Sequence, residues 1–266
     1  MITQKKIMIA GNWKMHLTVG QASLLVQRLH ERIQTHKDIE VVLAPTMLHL
    51  QPLSLQIDHR KFHLASQDAY FKDEGAYTGQ VSFTMLRHLV KYGIIGHSER
   101  RHVFNESLDD VTKKVSAAYR NGITPILCVG ETNIERLSGE THQVLHDQVV
   151  SALAGVTSDE VQSIVIAYEP VWAIGSGEYA KPADVMAAAR TIKHNISELY
   201  GQKAASGVRI LYGGSVTPDV AAGYLRIADI DGLLVGGASL NYHAFSDIVN
   251  VAYQVSRGVA TKEDLA

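Results

Sequence analysis

A single cysteine, Cys128, stands in a chain of 266 residues. No internal disulfide can therefore form, and no pair of thiolates is available for a zinc site. That scarcity points to a reducing compartment. Neither sign of charge is in excess: 25 Lys and Arg face 27 Asp and Glu, for a net charge of -2. A chain so balanced lacks the basic field that draws in nucleic acid or an anionic membrane surface, so any anionic ligand has to be held by local groups. Long apolar runs are missing as well. The first such run, Ile7–Ala10, follows a short polar lead and is far shorter than a signal-peptide core or a membrane span. The expectation is a cytoplasmic protein with no membrane partner. Two glycosylation-like tripeptides, at Asn105 and Asn195, carry no meaning without secretion. Only 6 prolines are present, and no Pro/Gly/Ser-rich linker divides the chain, so residues 1–266 read as one domain.

What is present is enough apolar material for a large core, 46% hydrophobic against 20% charged residues. Short β-branched runs recur at Ile7–Ala10, Val41–Ala44, Phe62–Ala65, Gly93–Gly96, Ile123–Val129, Ile164–Tyr168, Val208–Tyr212 and Gly232–Val235. Between them lie segments of helical period, such as Ala22, Leu25, Leu29, Ile33 and Val185, Ala189, Ile192, Ile196. Near-continuous apolar strands are what a parallel sheet covered by helices requires. Eight strand–helix units without a boundary predict an α/β fold of the closed (β/α)8 barrel type. An open doubly wound sheet uses the same alternation and differs only in strand order. A barrel places its chemistry on the loops that follow the strands, which confines the search to strand C-terminal ends.

Two motifs at those ends are decoys. Gly175–Ala180 fits a dinucleotide fingerprint, but six residues separate it from the preceding strand, so the tight turn that aims a helix at a pyrophosphate is absent. Gly96-His97-Ser98-Glu99-Arg100 begins like a nucleophile elbow and carries Arg where the sharp turn wants glycine.

The remaining strand ends hold the candidates. Asn12 and Lys14 point to one side if the extended chain continues past Ala10, which aims the lysine into the barrel mouth; a surface lysine is the ordinary alternative. His97 follows a strand closed by Gly96 and is one of 13 histidines, most of them in polar surface contexts. Glu169 ends the sixth strand, and Pro170 behind it disfavours the helical region and holds it extended, presenting the carboxylate. The segment Val171–Ala180 mixes Trp172 and Ile174 with Gly175 and Gly177, the composition of a lid, or of a mobile surface loop. Gly213-Gly214-Ser215 and Gly236-Gly237-Ala238-Ser239 follow strands seven and eight, the places from which barrels build an anion cradle; tight turns are the alternative.

These blocks together resemble the triosephosphate isomerase family: GNWKM at Gly11–Met15, GHSERR at Gly96–Arg101, AYEPVWAIG at Ala167–Gly175, YGGSV at Tyr212–Val216 and LLVGGASL at Leu233–Leu240. The resemblance spans nearly the whole chain. It implies the interconversion of dihydroxyacetone phosphate and glyceraldehyde 3-phosphate, in glycolysis and gluconeogenesis, with Glu169 as base and His97 polarising the carbonyl. The base, the neutral histidine and the closing loop are the family's established arrangement. Carried over by resemblance, Lys14 and Asn12 stabilise charge and orient substrate, and Glu99 contacts Lys14. Amides near Gly175, Ser215, Gly236 and Gly237 hold the phosphate, and Ile174 and Leu234 close over Glu169.

The resemblance implies no metal and no cofactor. It does imply a homodimer in which the loop 73–80, tipped by Thr78, and Met15 meet the partner. Departures from the family pattern are His16, Gln80, Asn105, the Glu178-Tyr179 pair at the lid's C-terminal hinge, and Asn241-Tyr242-His243 after the eighth strand. An isomerase of another small sugar phosphate, such as a tetrulose phosphate, would keep the base and cradle and alter the lid. A silent barrel that binds a phosphorylated ligand is opposed by the retained Lys14, His97 and Glu169.

Overall fold

The structure, a computed structural model, describes residues 5–175 and 177–258; residues 1–4, Ser176 and 259–266 lie outside the described set. Its strands are β1 (Ile7–Asn12), β2 (Ile39–Ala44), β3 (Phe62–Ser66), β4 (Tyr92–Ile95), β5 (Thr124–Val129), β6 (Val165–Tyr168), β7 (Arg209–Tyr212) and β8 (Gly232–Val235). All eight fall on the apolar runs of the sequence. They pair in chain order and the barrel closes β8 onto β1, which excludes the open sheet. Every pairing is parallel, and the seam runs from Met8 opposite Gly232 to Gly11 opposite Val235. A Cβ on Gly232 would overlap the Met8 carbonyl. The seam therefore needs glycine there.

Around the barrel run α1 (Val19–Arg32), α2 (Met47–Gln56), α3 (Phe83–Leu86), α4 (Ser98–His102), α5 (Leu108–Arg120) and α6 (Asn133–Leu137). They are followed by α7 (Thr141–Leu153), α8 (Ser158–Val161), α9 (Pro182–Gly207), α10 (Pro218–Leu225) and α11 (Tyr242–Ser256). Short 3-10 turns stand at Val171–Ala173 and Gly237–Leu240. Local chemistry sets the helix starts. Thr18 and Ser107 each form a capping box, with Gln21 and Asp110, that satisfies amides left over at the first turn. α9 is interrupted at Gly201, whose φ of 81° only glycine adopts freely. No described helix is long and apolar enough to cross a membrane.

Each strand buries both faces, which explains the absence of polar alternation. On β6, Val165 and Ala167 point into the barrel, while Ile166 and Tyr168 pack outward under the helices. The same period of two carries Asn12 on β1 and Glu169 beyond β6 to the inward side at the mouth.

The opposite end of the barrel is closed by charge. Glu40 is 8% exposed and accepts from Lys91 Nζ and Arg209 Nη1, both at 2.6 Å, and from the Tyr92 hydroxyl at 2.8 Å. Burial alone would raise its pKa, but the hydrogen bonds from Lys91 and Arg209 outweigh it and hold the carboxyl down at about 2. A depressed carboxylate contributes stability that is present above its unfolded pKa, near 4.5, and is lost as pH falls toward 2. Over that window the contribution is roughly 3 kcal/mol. Glu40→Gln is expected to destabilise the barrel by about 3 kcal/mol at pH 7, since it leaves the half-buried Arg209 without its carboxylate. In urea unfolding followed from pH 7 to pH 2.5, the gap between the two proteins should narrow below pH 4.5. A gap that stays constant would remove Glu40 as its source.

Candidate active site

The C-terminal ends of the strands surround a cavity of about 480 Å³ whose wall includes Asn12, Lys14, His97, Glu169 and Leu234. Ile174 and Gly175 of the lid segment line it, as do Gly213 to Thr217 after β7 and Gly236 to Ala238 after β8. Glu99 and Met15 lie with Lys14 and His97 around an adjoining cavity of about 500 Å³. Thr78 lines neither and is exposed.

Glu169 keeps strand geometry beyond β6, its amide donating to the Val129 carbonyl at 2.8 Å. Pro170 behind it is extended, with φ -62° and ψ 97°. The sequence presents the carboxylate openly; the structure instead sets it into the cavity wall, 1% exposed. The reason is a hold from the neighbouring strand end, where the Ser98 amide donates to Oε2 at 2.9 Å and His97 Nε2 stands 3.0 Å from Oε1. The second contact is close but off the hydrogen-bonding direction, so Oε1 has no aligned partner. Burial favours the neutral acid, yet the charge that His97 carries when protonated, together with the Ser98 amide, outweighs it and lowers the carboxyl below its ordinary pKa; beside a neutral ring the Ser98 amide is the hold that remains.

His97 is the N-cap of α4, and the Glu99 amide donates to its Nδ1 at 3.2 Å. Two influences oppose at this ring. Burial disfavours the cation, while the nearby Glu169 carboxylate outweighs burial and raises the pKa above its usual value. The geometry at Nδ1 decides for the neutral form, because an imidazolium would set its own N–H against the Glu99 N–H. The proton then sits on Nε2, facing the cavity.

Lys14 reaches the same place by a different path from the one its spacing predicts. The chain leaves β1 after Asn12 and Lys14 adopts φ 51°, left-handed and rare for a lysine. The turn is held by the Asn12 side chain, which accepts from the Lys14 amide at 3.0 Å, and by Gln67, which donates to the Lys14 carbonyl at 2.8 Å. Lys14 Nζ pairs with Glu99 Oε1 at 2.6 Å. Strain of this kind is concentrated at functional sites, where the surroundings over-determine it.

The glycine loops have two uses. A Cβ on Gly213 would crowd the Glu169 side chain at 2.9 Å, and one on Gly214 would overlap the Tyr212 hydroxyl. A Cβ on Gly237 would meet no protein atom, and the nearest to one on Gly236 is Lys14 Cε at 3.8 Å. The first loop thus makes room for protein; the second leaves room for a ligand. Ser215 Oγ donates to the Ala173 carbonyl at 2.7 Å, which ties the first loop to the lid. Ser176, inside the lid segment, lies outside the described residues.

Sequence reasoning missed several supports. Glu131, 1% exposed, accepts from Tyr168 Oη at 3.1 Å and Trp172 Nε1 at 2.8 Å and so fixes the start of the lid. Arg101 binds the Gly96 and Cys128 carbonyls, tying the ends of β4 and β5. Gly130 is required because a Cβ would overlap the Glu169 carbonyl. Cys128 is fully buried, and burial followed by the charge of Glu169 pushes its thiol well up, leaving it inert. Gln67 follows β3, and Gly130 and Glu131 follow β5, so the rule of strand ends could have found them; what each touches is set by tertiary contacts with no local signature.

The departures from the family pattern resolve unevenly. Asn105 has φ 53°, which asparagine tolerates better than most residues in place of glycine. Asn241 caps α11, accepting from the amides of His243 and Ala244, and Tyr242 lies under Arg28 and Arg32; none of residues 241 to 243 lines the cavity. Tyr179 does line it.

A family model described as triosephosphate isomerase matches residues 7–252. Relatives named triosephosphate isomerase include one from Thermoanaerobacter pseudethanolicus, 44% identical over 92% of this chain and 99% of its own length. Another, from Roseiflexus, is 46% identical over 91% of this chain and 96% of its own length, and one from Clostridium perfringens is 42% identical over 91% and 98%. A barrel closed from eight parallel strands, with these blocks at its strand ends, belongs to the triosephosphate isomerase family.

Proposed function

We propose that this chain interconverts dihydroxyacetone phosphate and D-glyceraldehyde 3-phosphate through an enediol or enediolate, the step of glycolysis and gluconeogenesis that joins the two trioses. One juxtaposition carries the reading: Glu169, His97 and Lys14 line the same cavity as the loops Gly213–Ser215 and Gly236–Ala238. Proton transfer beside a carbonyl needs a base, donors where oxygen charge develops, and exclusion of water. Glu169 takes the proton from the carbon next to the carbonyl. The C–H electron pair becomes the carbon–carbon double bond, and the carbonyl pair moves to oxygen, where the neutral His97 Nε2–H and the Lys14 ammonium receive the charge. Asn12 orients the substrate oxygen. The former carbonyl oxygen gains a proton and the neighbouring hydroxyl gives one up, and the carbon proton returns to the former carbonyl carbon as the double bond shifts to the neighbouring carbon and its oxygen, which completes the exchange.

Amides near Gly175, Ser215, Gly236 and Gly237 hold the phosphate. Closure of Ile174 against Leu234 over the carboxylate removes water and loosens the hold of Ser98, which raises the basicity of Glu169 at the moment it is needed. The discriminating experiment compares turnover of glyceraldehyde 3-phosphate with that of tetrulose phosphates. The triose should be preferred; a preference for the four-carbon ester would overturn the substrate assignment.

The reading includes a homodimer in a reducing cytoplasm. Around the adjoining cavity, Met15 is 91%, Leu48 71% and Phe104 63% exposed, an apolar patch that a free monomer seldom carries. The exposed loop 73–80, with Thr78 at its tip, supplies the segment that fills the partner's copy of this cavity. Light scattering should return twice the chain mass of 29.1 kDa. Met15→Asp should shift the protein toward monomer and lower turnover, because Lys14 is its neighbour. A wild-type monomer with full activity would contradict the dimer.

A further inference from the structure

We propose that Tyr224 is a positioning residue of the reaction: from α10 it fixes the C-terminal pivot on which the lid swings, so that the closing segment meets the phosphate loops in register. The proposal rests on the isomerase reading above. Tyr224 is 4% exposed, and its hydroxyl donates to the Ala180 carbonyl at 2.8 Å. Ala180 is itself buried and stands directly before Lys181, the N-cap of α9, where Pro182 sets the rigid helix going. Upstream, Gly175 and Gly177 have φ of 69° and 79°, left-handed values that glycine adopts without strain.

The lid segment is thus bounded by two carbonyl anchors, Ser215 on Ala173 and Tyr224 on Ala180. Tyr224 does a second thing. Its ring stacks on Tyr212, with centroids 3.9 Å apart and planes 24° from parallel. Tyr212 directly precedes the Gly213–Ser215 loop, and Gly214 packs against its ring and hydroxyl. One side chain therefore touches both the pivot of the lid and the support beneath the phosphate loop. Amides that must meet a phosphate need placement within a fraction of an ångström, and that placement comes from the residues behind them.

Tyr224→Phe keeps the stacked ring and removes the donor, leaving the buried Ala180 carbonyl without it. Its test compares kcat/KM for D-glyceraldehyde 3-phosphate and for D-glyceraldehyde, which carries no phosphate and draws nothing from closure upon one. The phosphate ester should lose about tenfold, through KM and kcat together, while the unphosphorylated aldehyde is unchanged. Tyr224→Met, which fills much of the space without a donor, should lose at least as much on the ester and supplies the same comparison where Phe does not fold. Equal losses on both substrates, or no loss on either, would overturn the proposal. A wild-type protein inert toward the ester would instead overturn the isomerase reading.

Discussion

Glu169→Gln is expected to lower kcat by at least about 10²–10⁴-fold while the barrel stays folded, the usual worth of a positioned acid–base group. The substitution is nearly isosteric. Gln keeps the chain length, so the close packing of the residue 169 side chain against Gly213 is undisturbed, and its amide oxygen still accepts from the Ser98 N–H. What it loses is the capacity to take a proton. Phosphate binding should survive, because the loops after β7 and β8 do not depend on the charge of residue 169. KM is therefore expected to move far less than kcat. Stopped assays with wild type and variant at equal concentration, with circular dichroism to confirm the fold, read the outcome. A folded Glu169→Gln protein of near-normal kcat would remove Glu169 from the role of base.

His97→Gln should cost about 10²–10³-fold in kcat, the range for deleting one donor aimed at a developing oxyanion. The ring works as a donor only in the tautomer that its surroundings enforce. The Glu99 amide at Nδ1 places the proton on Nε2, toward the cavity and toward Glu169. The same Glu169 charge raises the pKa of the ring; once the carboxylate accepts a substrate proton that influence is gone, and burial, Lys14 and the helix start favour the neutral ring against the remaining charge of Glu99. Ring-nitrogen NMR in a complex with inorganic phosphate, recorded at pH 7, should show an unprotonated Nδ1 and a protonated Nε2. A ring protonated on both nitrogens in that complex would contradict the neutral electrophile.

The barrel was legible in the sequence because a helix-covered strand must be apolar on both faces, and eight such runs stand out. The side on which a mouth residue lies was legible for Asn12 and Glu169, which continue the inward period of β1 and β6. It was not legible for Lys14, because a φ of 51° breaks the period that the inference used. Glu169 reads as presented from Pro170 alone; its burial comes from Ser98 and His97, which lie 71 and 72 positions away in the chain and leave no local trace. The glycines after β7 stand where a phosphate cradle requires, but Gly213 and Gly214 also answer to Glu169 and Tyr212. Asn241 stands out as a departure from the family pattern without revealing its use, since a helix cap depends on where the helix begins. Glu131, Arg101 and Tyr224 act across elements and become visible only once the barrel has closed.

The central claim is that a proton, held in transit by Glu169, moves between adjacent carbons of a triose phosphate. Running dihydroxyacetone phosphate to D-glyceraldehyde 3-phosphate in D₂O and reading the product by proton NMR tests it most directly. A carboxylate that carries the proton exchanges it with solvent before returning it, so wild-type product should carry deuterium at C2, and Glu169→Gln should abolish that labelled product along with turnover. Product formed at full rate with no deuterium at C2 would mean that hydrogen passes directly between the carbons, and Glu169 would then have no proton to carry.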